Sequence, residues 1–230
     1  SNHQKLKQEG VSAELELSIM QKADKTILVS DFEYDLLKDV EDICPVVIPL
    51  PREIPGRLGG FEDRQDILFI GGFLHAPNVD AVYYFTKEIW PLIHETLPNC
   101  NFLVGGSNIP EEIYELENDN IHVLGFIPDL AEIFSKIKLT IAPLRYGAGV
   151  KGKVLTSLGY GVPCVVTPIA AEGMGATHRE NIMIADTPDE FAKCVIEAYH
   201  EKELWESLSI NGLSHVQMKF SISKFKQNLE

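Results

Sequence analysis

The sequence predicts an α/β fold built on a doubly wound parallel sheet, with a separate shorter segment in front of it. Three observations predict this. From about residue 60 to 215 strand-like runs alternate with helical ones, the strand-like runs are apolar at nearly every position, and the helices open on recognisable caps. A strand that is apolar throughout is one buried on both faces, and only helices packed on both sides of a sheet bury it that way.

Residues 12–30, "SAELELSIMQKADKTILVS", read as a helix followed by a short buried strand. "DFEYDLLKDV" is a second helix with Ser30 or Asp31 as N-cap, and "CPVVIPLP" is a strand closed by prolines. "REIPGRLGGFEDRQD" mixes Gly, Pro and charge without an apolar period, so it is a linker and the main boundary falls near residue 60. The expected division is therefore 1–59, 60–215 and a last helical segment, 216–230.

Beyond the boundary "DILFIGG" is a strand ending on Gly71-Gly72, and "NVDAVYYFTKEIWPLIHETLP" a long helix with Asn78 as N-cap and a kink or break at Pro91. "CNFLVGG" is a strand ending on Gly105-Gly106, "IPEEIYELEN" a helix, "IHVLGFI" a strand, and "DLAEIFSKI" a helix capped by Asp129. "LTIAPL" is a strand, "GKVLTSLGYG" a helix, and "PCVVTP" and "ENIMIAD" are strands. "TPDEFAKCVIEAYH" opens with Thr-x-x-Glu, a capping-box pattern, and "EKELWESLSINGLSHVQ" and "SISKFKQNL" finish the chain as helices.

Composition narrows the function. A formal charge of −14 over 230 residues argues against a nucleic-acid or anionic-membrane surface, since both need a field of the opposite sign. At 45% hydrophobic residues the chain builds a core without disulfides. Cys44, Cys100, Cys164 and Cys194 are scattered without a C-x-x-C pair, which reads as buried free thiols in a reducing compartment. No apolar run approaches the ~20 residues of a membrane span. A cytoplasmic location is expected, with an upstream portion missing.

In open α/β sheets ligands bind beyond the carboxyl ends of the strands. Gly71-Gly72, the turn at Phe126–Asp129 and the 145–153 loop all fall there. Gly147 and Gly149 make a close-approach loop, and Lys151 and Lys153 follow at a helix start, where backbone N–H groups and the dipole already favour anions. Two cations at that end repel the dipole unless something negative sits between, which points to a diphosphate; solvated lysines paired with carboxylates are the alternative. For Gly71-Gly72 alone, a tight turn without a ligand is the simpler reading. There is no G-x-x-x-x-G-K-[ST] and no third glycine after Gly71-Gly72 to complete a dinucleotide fingerprint. His75, His94, His122 and His178 lack metal spacing, so no metal is expected, and His75 is of interest only as a residue at the site mouth. Tyr83, Tyr84, Phe85 and Trp90 recur at helical spacing and read as core.

"PLRYGAGVKGKVLTSLGYGVPCVVTPIAAEGM" resembles the donor-binding signature of the nucleotide-sugar glycosyltransferases of family 4 (group 1), with the Rossmann-like C-terminal domain of the GT-B fold. "GGFLHAPNVDAVYYF", "LVGG", "VLGFIPDL" and "NIMIADTPDEFAKCV" are similar to the same domain in order and spacing, and "ADKTILVSDFEYDLL" and "PVVIPLP" to the tail of the family's N-terminal domain. The resemblance implies that Gly71, Gly72 and Phe73 lie against the diphosphate or donor sugar. It implies that Lys151 and Lys153, in a loop with Arg145, Gly147 and Gly149, contact the phosphates. It further implies that backbone near Phe126 and Ile127 holds the base, and that Glu172 matches the family's Gly-x-Glu-Gly turn. No cofactor or metal is implied beyond a UDP- or GDP-sugar donor, because cations and helix dipoles neutralise the leaving group. The acceptor, a glycan or lipid-linked molecule, would bind the missing N-terminal domain, so this chain alone is expected to be inactive, and peripheral membrane association at the inner face stays open. Two departures stand out: Thr156 replaces the glutamate that would take the ribose hydroxyls, and Ala148 stands eight residues earlier where many members carry another. They keep a degenerate nucleotide-sugar-binding domain, and beside it a GT-B epimerase or phosphorylase, as alternatives.

Overall fold

The computed structural model describes residues 13–229. Residues 1–12 of the expected first segment, and Glu230, lie outside that range. A small N-terminal unit comes first: α1 (Ala13–Met20), β1 (Thr26–Leu28), α2 (Asp31–Leu37) and β2 (Pro45–Val47), with β1 and β2 paired in parallel. Ser30 is the N-cap of α2, its hydroxyl accepting the Glu33 N–H at 3.2 Å.

The main sheet has six strands, all parallel, in the order β5-β4-β3-β6-β7-β8. They are β3 (Gln65–Gly72), β4 (Phe102–Ser107), β5 (Ile121–Gly125), β6 (Ile137–Ala142), β7 (Cys164–Val166) and β8 (Met183–Ile184). Counted from β3 this is the 3-2-1-4-5-6 order of the doubly wound fold, and the direction of winding reverses between β3 and β6. Successive side chains of β3 point to opposite faces. Ile67 and Phe69 join Phe102, Val104 and Phe85 in one apolar cluster, and Leu68 joins Leu103 and Phe134 in another. Sidedness of this kind is why the strand had to be apolar throughout.

The connections are α3 (Ala76–Tyr84), α4 (Trp90–His94), α5 (Glu111–Tyr114), α6 (Leu130–Lys136), α7 (Gly152–Gly159), α8 (Pro168–Ala171) and α9 (Pro188–His200), followed by α10 (Lys202–Phe220) and α11 (Ile222–Leu229). Asp129 caps α6 by accepting from Ala131 and Glu132, and Thr187 with Glu190 forms the full capping box of α9. The interruption expected at Pro91 is a π turn over Phe85–Ile89. Pro91 has no N–H to continue the ladder, and the Trp90 N–H reaches back five residues to Phe85.

Several expectations need correction. Asn78 is not a helix cap: α3 begins at Ala76 after His75, because Pro77 fits the first helical turn, and Asn78 is left inside the helix with its side chain turned inward. "ENIMIAD" yields only the two-residue β8, "IPEEIYELEN" only the short α5, and β6 begins earlier than expected, at Ile137. Residue 216 lies within α10, which runs unbroken to Phe220, and the chain bends at Ser221. The cysteines are free, but Cys44 is exposed, since the unit that carries it is too small to enclose it.

Candidate functional site

The reversal between β3 and β6 opens a crevice at the carboxyl ends of the strands, where a doubly wound sheet takes its ligands. Its floor is backbone. Gly106, at φ +148°, crosses so close to Gly71 that a β-carbon on residue 106 would collide with the Gly71 carbonyl. Ile127 folds its side chain over Gly105 at the same sheet end, where a β-carbon would meet Cδ1.

From β6 the chain enters a loop containing Gly147 and Gly149, both at positive φ, and then α7. Lys151 is the N-cap residue of α7 and makes no side-chain cap. Its ammonium donates instead to the Gly149 carbonyl at 2.5 Å, with Gly147 O at 3.5 Å, which keeps the charge over the loop. Lys153, two residues further in, reaches toward β3. Its Nζ donates to Asn78 Oδ1, stands 4.2 Å from the centre of the Phe69 ring, and would be 3.0 Å from a β-carbon on Gly71. Asn78, only 7% exposed, is fixed in turn by donating its Nδ2 to Gly72 O at 2.6 Å.

This ammonium is held in poor surroundings for a charge. Burial pushes Lys153 down from 10.5 to about 7, with Cys164 opposing and Lys151 adding to the fall. Among the described residues no carboxylate pairs with it. The first amides of α7 point the same way, since a helix leaves its opening N–H groups without internal acceptors. Two cations and a helix N-terminus therefore converge beside a bare glycine floor, an arrangement that can hold a phosphate or diphosphate.

The other expected residues divide. Phe73 is buried, and Gly71 and Gly72 are the half-buried last residues of β3. Arg145 is engaged elsewhere: its Nε and Nη2 donate to Asp80 Oδ2 at 3.0 Å and Oδ1 at 2.5 Å, and its guanidinium lies 4.8 Å from the Tyr84 ring. That pair ties the loop to α3. Thr156 donates its hydroxyl to Gly152 O at 3.0 Å, one turn back in its own helix. Phe126 stands 72% exposed on the turn after β5, a bare aromatic face. Glu172 caps the end of α8, half-buried, next to Gly173, where a β-carbon would meet Ser30 Cβ at 3.0 Å and Val150 Cγ2 at 3.2 Å. His75 is exposed at the head of α3. An open groove of about 490 Å³ adjoins the crevice, lined by Phe73, Leu74, Val79, Tyr83, Pro110 and Tyr146 among others, but neither lysine lines it.

Sequence reasoning missed Asn78 as a site residue. The available signal was Pro77, which favours the first turn of a helix and so moves the cap upstream, leaving a buried amide to explain.

Comparison with known proteins adds three findings. Residues 64–201 match the family model for glycosyl transferases group 1. A Klebsiella pneumoniae protein described as an uncharacterized 44.6 kDa protein in the cps region is 26% identical over 224 residues, which cover 89% of this chain and 56% of that one. In solved structures the fold recurs in Staphylococcus aureus TarM, seen in complex with Fondaparinux, alpha-GlcNAc-glycerol and UDP (TM-score 0.77, 14% identity, covering 96% of this chain and 46% of that one). It recurs in the sucrose-phosphate synthase of Thermosynechococcus elongatus (0.76, 16%, 94% and 59%) and in Anabaena HepE in complex with UDP and glucose (0.71, 11%, 90% and 62%). The chain thus spans roughly half the length of the proteins it matches.

Proposed function

Since the chain belongs to the glycosyl transferases group 1 family, we propose that it is the donor-binding half of an enzyme moving a sugar from a nucleotide-sugar to a glycan or lipid-linked acceptor. The observation that supports this most is the half-buried Lys153 ammonium, held by Asn78 over the Phe69 ring and beside Gly71. When the sugar departs, negative charge grows on the nucleoside diphosphate. Lys153, Lys151 and the first amides of α7 meet that charge with groups fixed in advance, so little reorganisation is needed at the moment of transfer. Gly71 and Gly72 let phosphate oxygens or the sugar approach backbone closely, and Arg145, through Asp80, holds the loop of Gly147 and Gly149 in place. The exposed Phe126 and the backbone at Ile127 take the base, and Glu172 faces the donor from the end of α8. Retention at the anomeric carbon is the expected outcome. UDP in TarM and HepE makes a UDP-sugar the first donor to try, with GDP as the competitor.

The chain alone would bind without turning over, because transfer needs an acceptor surface closed against the donor. The exposed apolar residues of the N-terminal unit, Ile27, Leu36 and Leu50, support a further domain packed there. A role in polysaccharide biosynthesis fits the Klebsiella relative's place in a cps region. Among the described residues no helix is long and apolar enough to cross a membrane; a cytoplasmic site of action, peripheral at the membrane if the acceptor is a lipid, follows from the chemistry of the donor.

Thr156 motivates the second reading, a domain that binds nucleotide-sugar weakly and no longer serves catalysis. Its hydroxyl is spent on Gly152 O, so no carboxylate meets the ribose. Calorimetric titration with UDP, GDP and ADP tests both. Saturable binding of one nucleotide, weakened at least tenfold by Lys151→Ala, supports the donor site. A gain of about tenfold or more in Thr156→Glu favours decay of that site. Absence of binding by all three at millimolar concentration contradicts both.

A further inference from the structure

We propose that Arg52, a residue of the linker, is a third cation of the diphosphate site and couples donor binding to the linker. The inference rests on the donor-binding reading above and adds a residue to it. Arg52 is anchored where the chain both enters and leaves the main domain: its N–H donates to Phe220 O at 2.7 Å and it bridges to Ser221, at the bend between α10 and α11. From there the side chain turns onto the first turn of α7. A β-carbon on residue 152 would lie 2.8 Å from its Nη2 and 3.3 Å from Cζ. Position 152, between Lys151 and Lys153, must be glycine for the guanidinium to rest there.

What sets Arg52 apart from the other linker arginines is that neither of its Nη atoms has a hydrogen-bond partner among the described residues. Its Nε is shut off from solvent without a hydrogen bond. Among the described residues its guanidinium makes neither a hydrogen bond nor an ion pair. The other two arginines of the linker place their terminal nitrogens on acceptors: Arg57 forks onto Glu206 at 2.5 and 2.9 Å, and Arg64, whose Nε is likewise unpaired, donates its Nη1 and Nη2 to the carbonyls of Phe134, Ile137 and Leu58. Nor does α7 offer a counter-charge, because Thr156, on the same face one turn on, gives its hydroxyl to Gly152 O. A guanidinium with one buried, unmade donor, resting on the positive end of α7 at position 152, is relieved by an anion. Its planar fork suits two oxygens of a phosphate, which a lysine cannot match. A diphosphate bound there would tie the linker to α7.

Pyrophosphate, which has no base or sugar, is the probe, titrated into the full chain and into Arg52→Gln, Arg52→Lys and Lys153→Met, each with a thermal melt. The expected result is about tenfold weaker binding in Arg52→Gln with little change in Tm, a shallower dependence of affinity on salt, and partial recovery in Arg52→Lys. If Arg52→Gln binds like wild type while Lys153→Met does not, the site stands and the role of Arg52 is refuted. A fall in Tm with unchanged affinity refutes it equally, making Arg52 a linker anchor. If wild type binds neither pyrophosphate nor UDP, the donor-binding reading fails and this inference with it.

Discussion

Two cationic clusters sit at opposite ends of the sheet and use their charges differently. At the amino ends of β3 and β6, Arg64 is 4% exposed and Lys138 5%, yet both cations rest on backbone carbonyls, with only the Arg64 Nε unpaired. Arg64 donates to Phe134 O and Ile137 O at 2.5 and 2.9 Å, and Lys138 donates to Phe61 O at 2.6 Å with its Nζ 3.3 Å from the Phe61 ring centre. Trp205 lies beneath Arg57 and Arg64 at 4.9 and 5.3 Å and donates its indole N–H to Lys138 O at 2.7 Å. At the carboxyl ends, Lys153 has one amide oxygen and an aromatic face, with Lys151 close enough to oppose its charge. Burial lowers both Arg64 and Lys153, but Arg64 falls only to about 10 and stays charged at neutral pH, whereas Lys153 reaches about 7. Cations consumed by carbonyls hold the fold; a cation left short of partners is strained toward a ligand.

The sharpest way to break that contrast is to remove one cation from each cluster. Arg64→Met strands several buried carbonyls, so stability should fall by about 3 kcal/mol and Tm by about 6–12 °C in thermal melts, with nucleotide affinity of the folded protein unchanged. Lys153→Met should do the reverse: Tm rises by about 2–4 °C as an uncompensated ammonium leaves the interior, and diphosphate affinity falls about 100-fold by calorimetry.

A pH series sharpens the same contrast. Lys153 holds its proton to about 7 when folded against an ordinary 10.5 when unfolded. The unfolded chain therefore binds the extra proton between those values, and stability rises with pH across that window; the penalty of the buried charge is fully present below it. Binding has the opposite sign, because a diphosphate needs the ammonium. Affinity for a nucleotide-sugar should be greatest below about pH 7 and fall up to about tenfold per pH unit above it. Both trends should vanish in Lys153→Met. The smallest effect belongs to Arg57→Gln, whose partner Glu206 is partly exposed: a loss of about 1 kcal/mol, and no change in affinity.

The sheet and its helices were legible because burial on two faces forces continuous apolar runs, and because caps such as Asp129 and Thr187 use side chains whose chemistry is local. The placement of Lys151 and Lys153 at the start of α7 was legible for a related reason, since glycines followed by cations at a helix start form a local pattern. What was illegible depends on distance along the chain. Asn78 meets Lys153 only once α3 and α7 are neighbours, and Arg52 reaches Gly152 only because the linker returns along α7. Arg145 was read as part of the anion loop by proximity, yet its partner is Asp80 on α3. Short elements such as β8 were overestimated because an apolar run fixes burial but not how many residues find a partner strand.

The most direct test of the central claim is a proton count. Binding of UDP-glucose near pH 8, measured by calorimetry in two buffers of different ionisation enthalpy, reports the protons taken up as the ligand binds. If Lys153 closes on the donor diphosphate, wild type should take up close to one proton and Lys153→Met none. Tight binding with no proton uptake in wild type would contradict the claim and move the anion site away from Lys153.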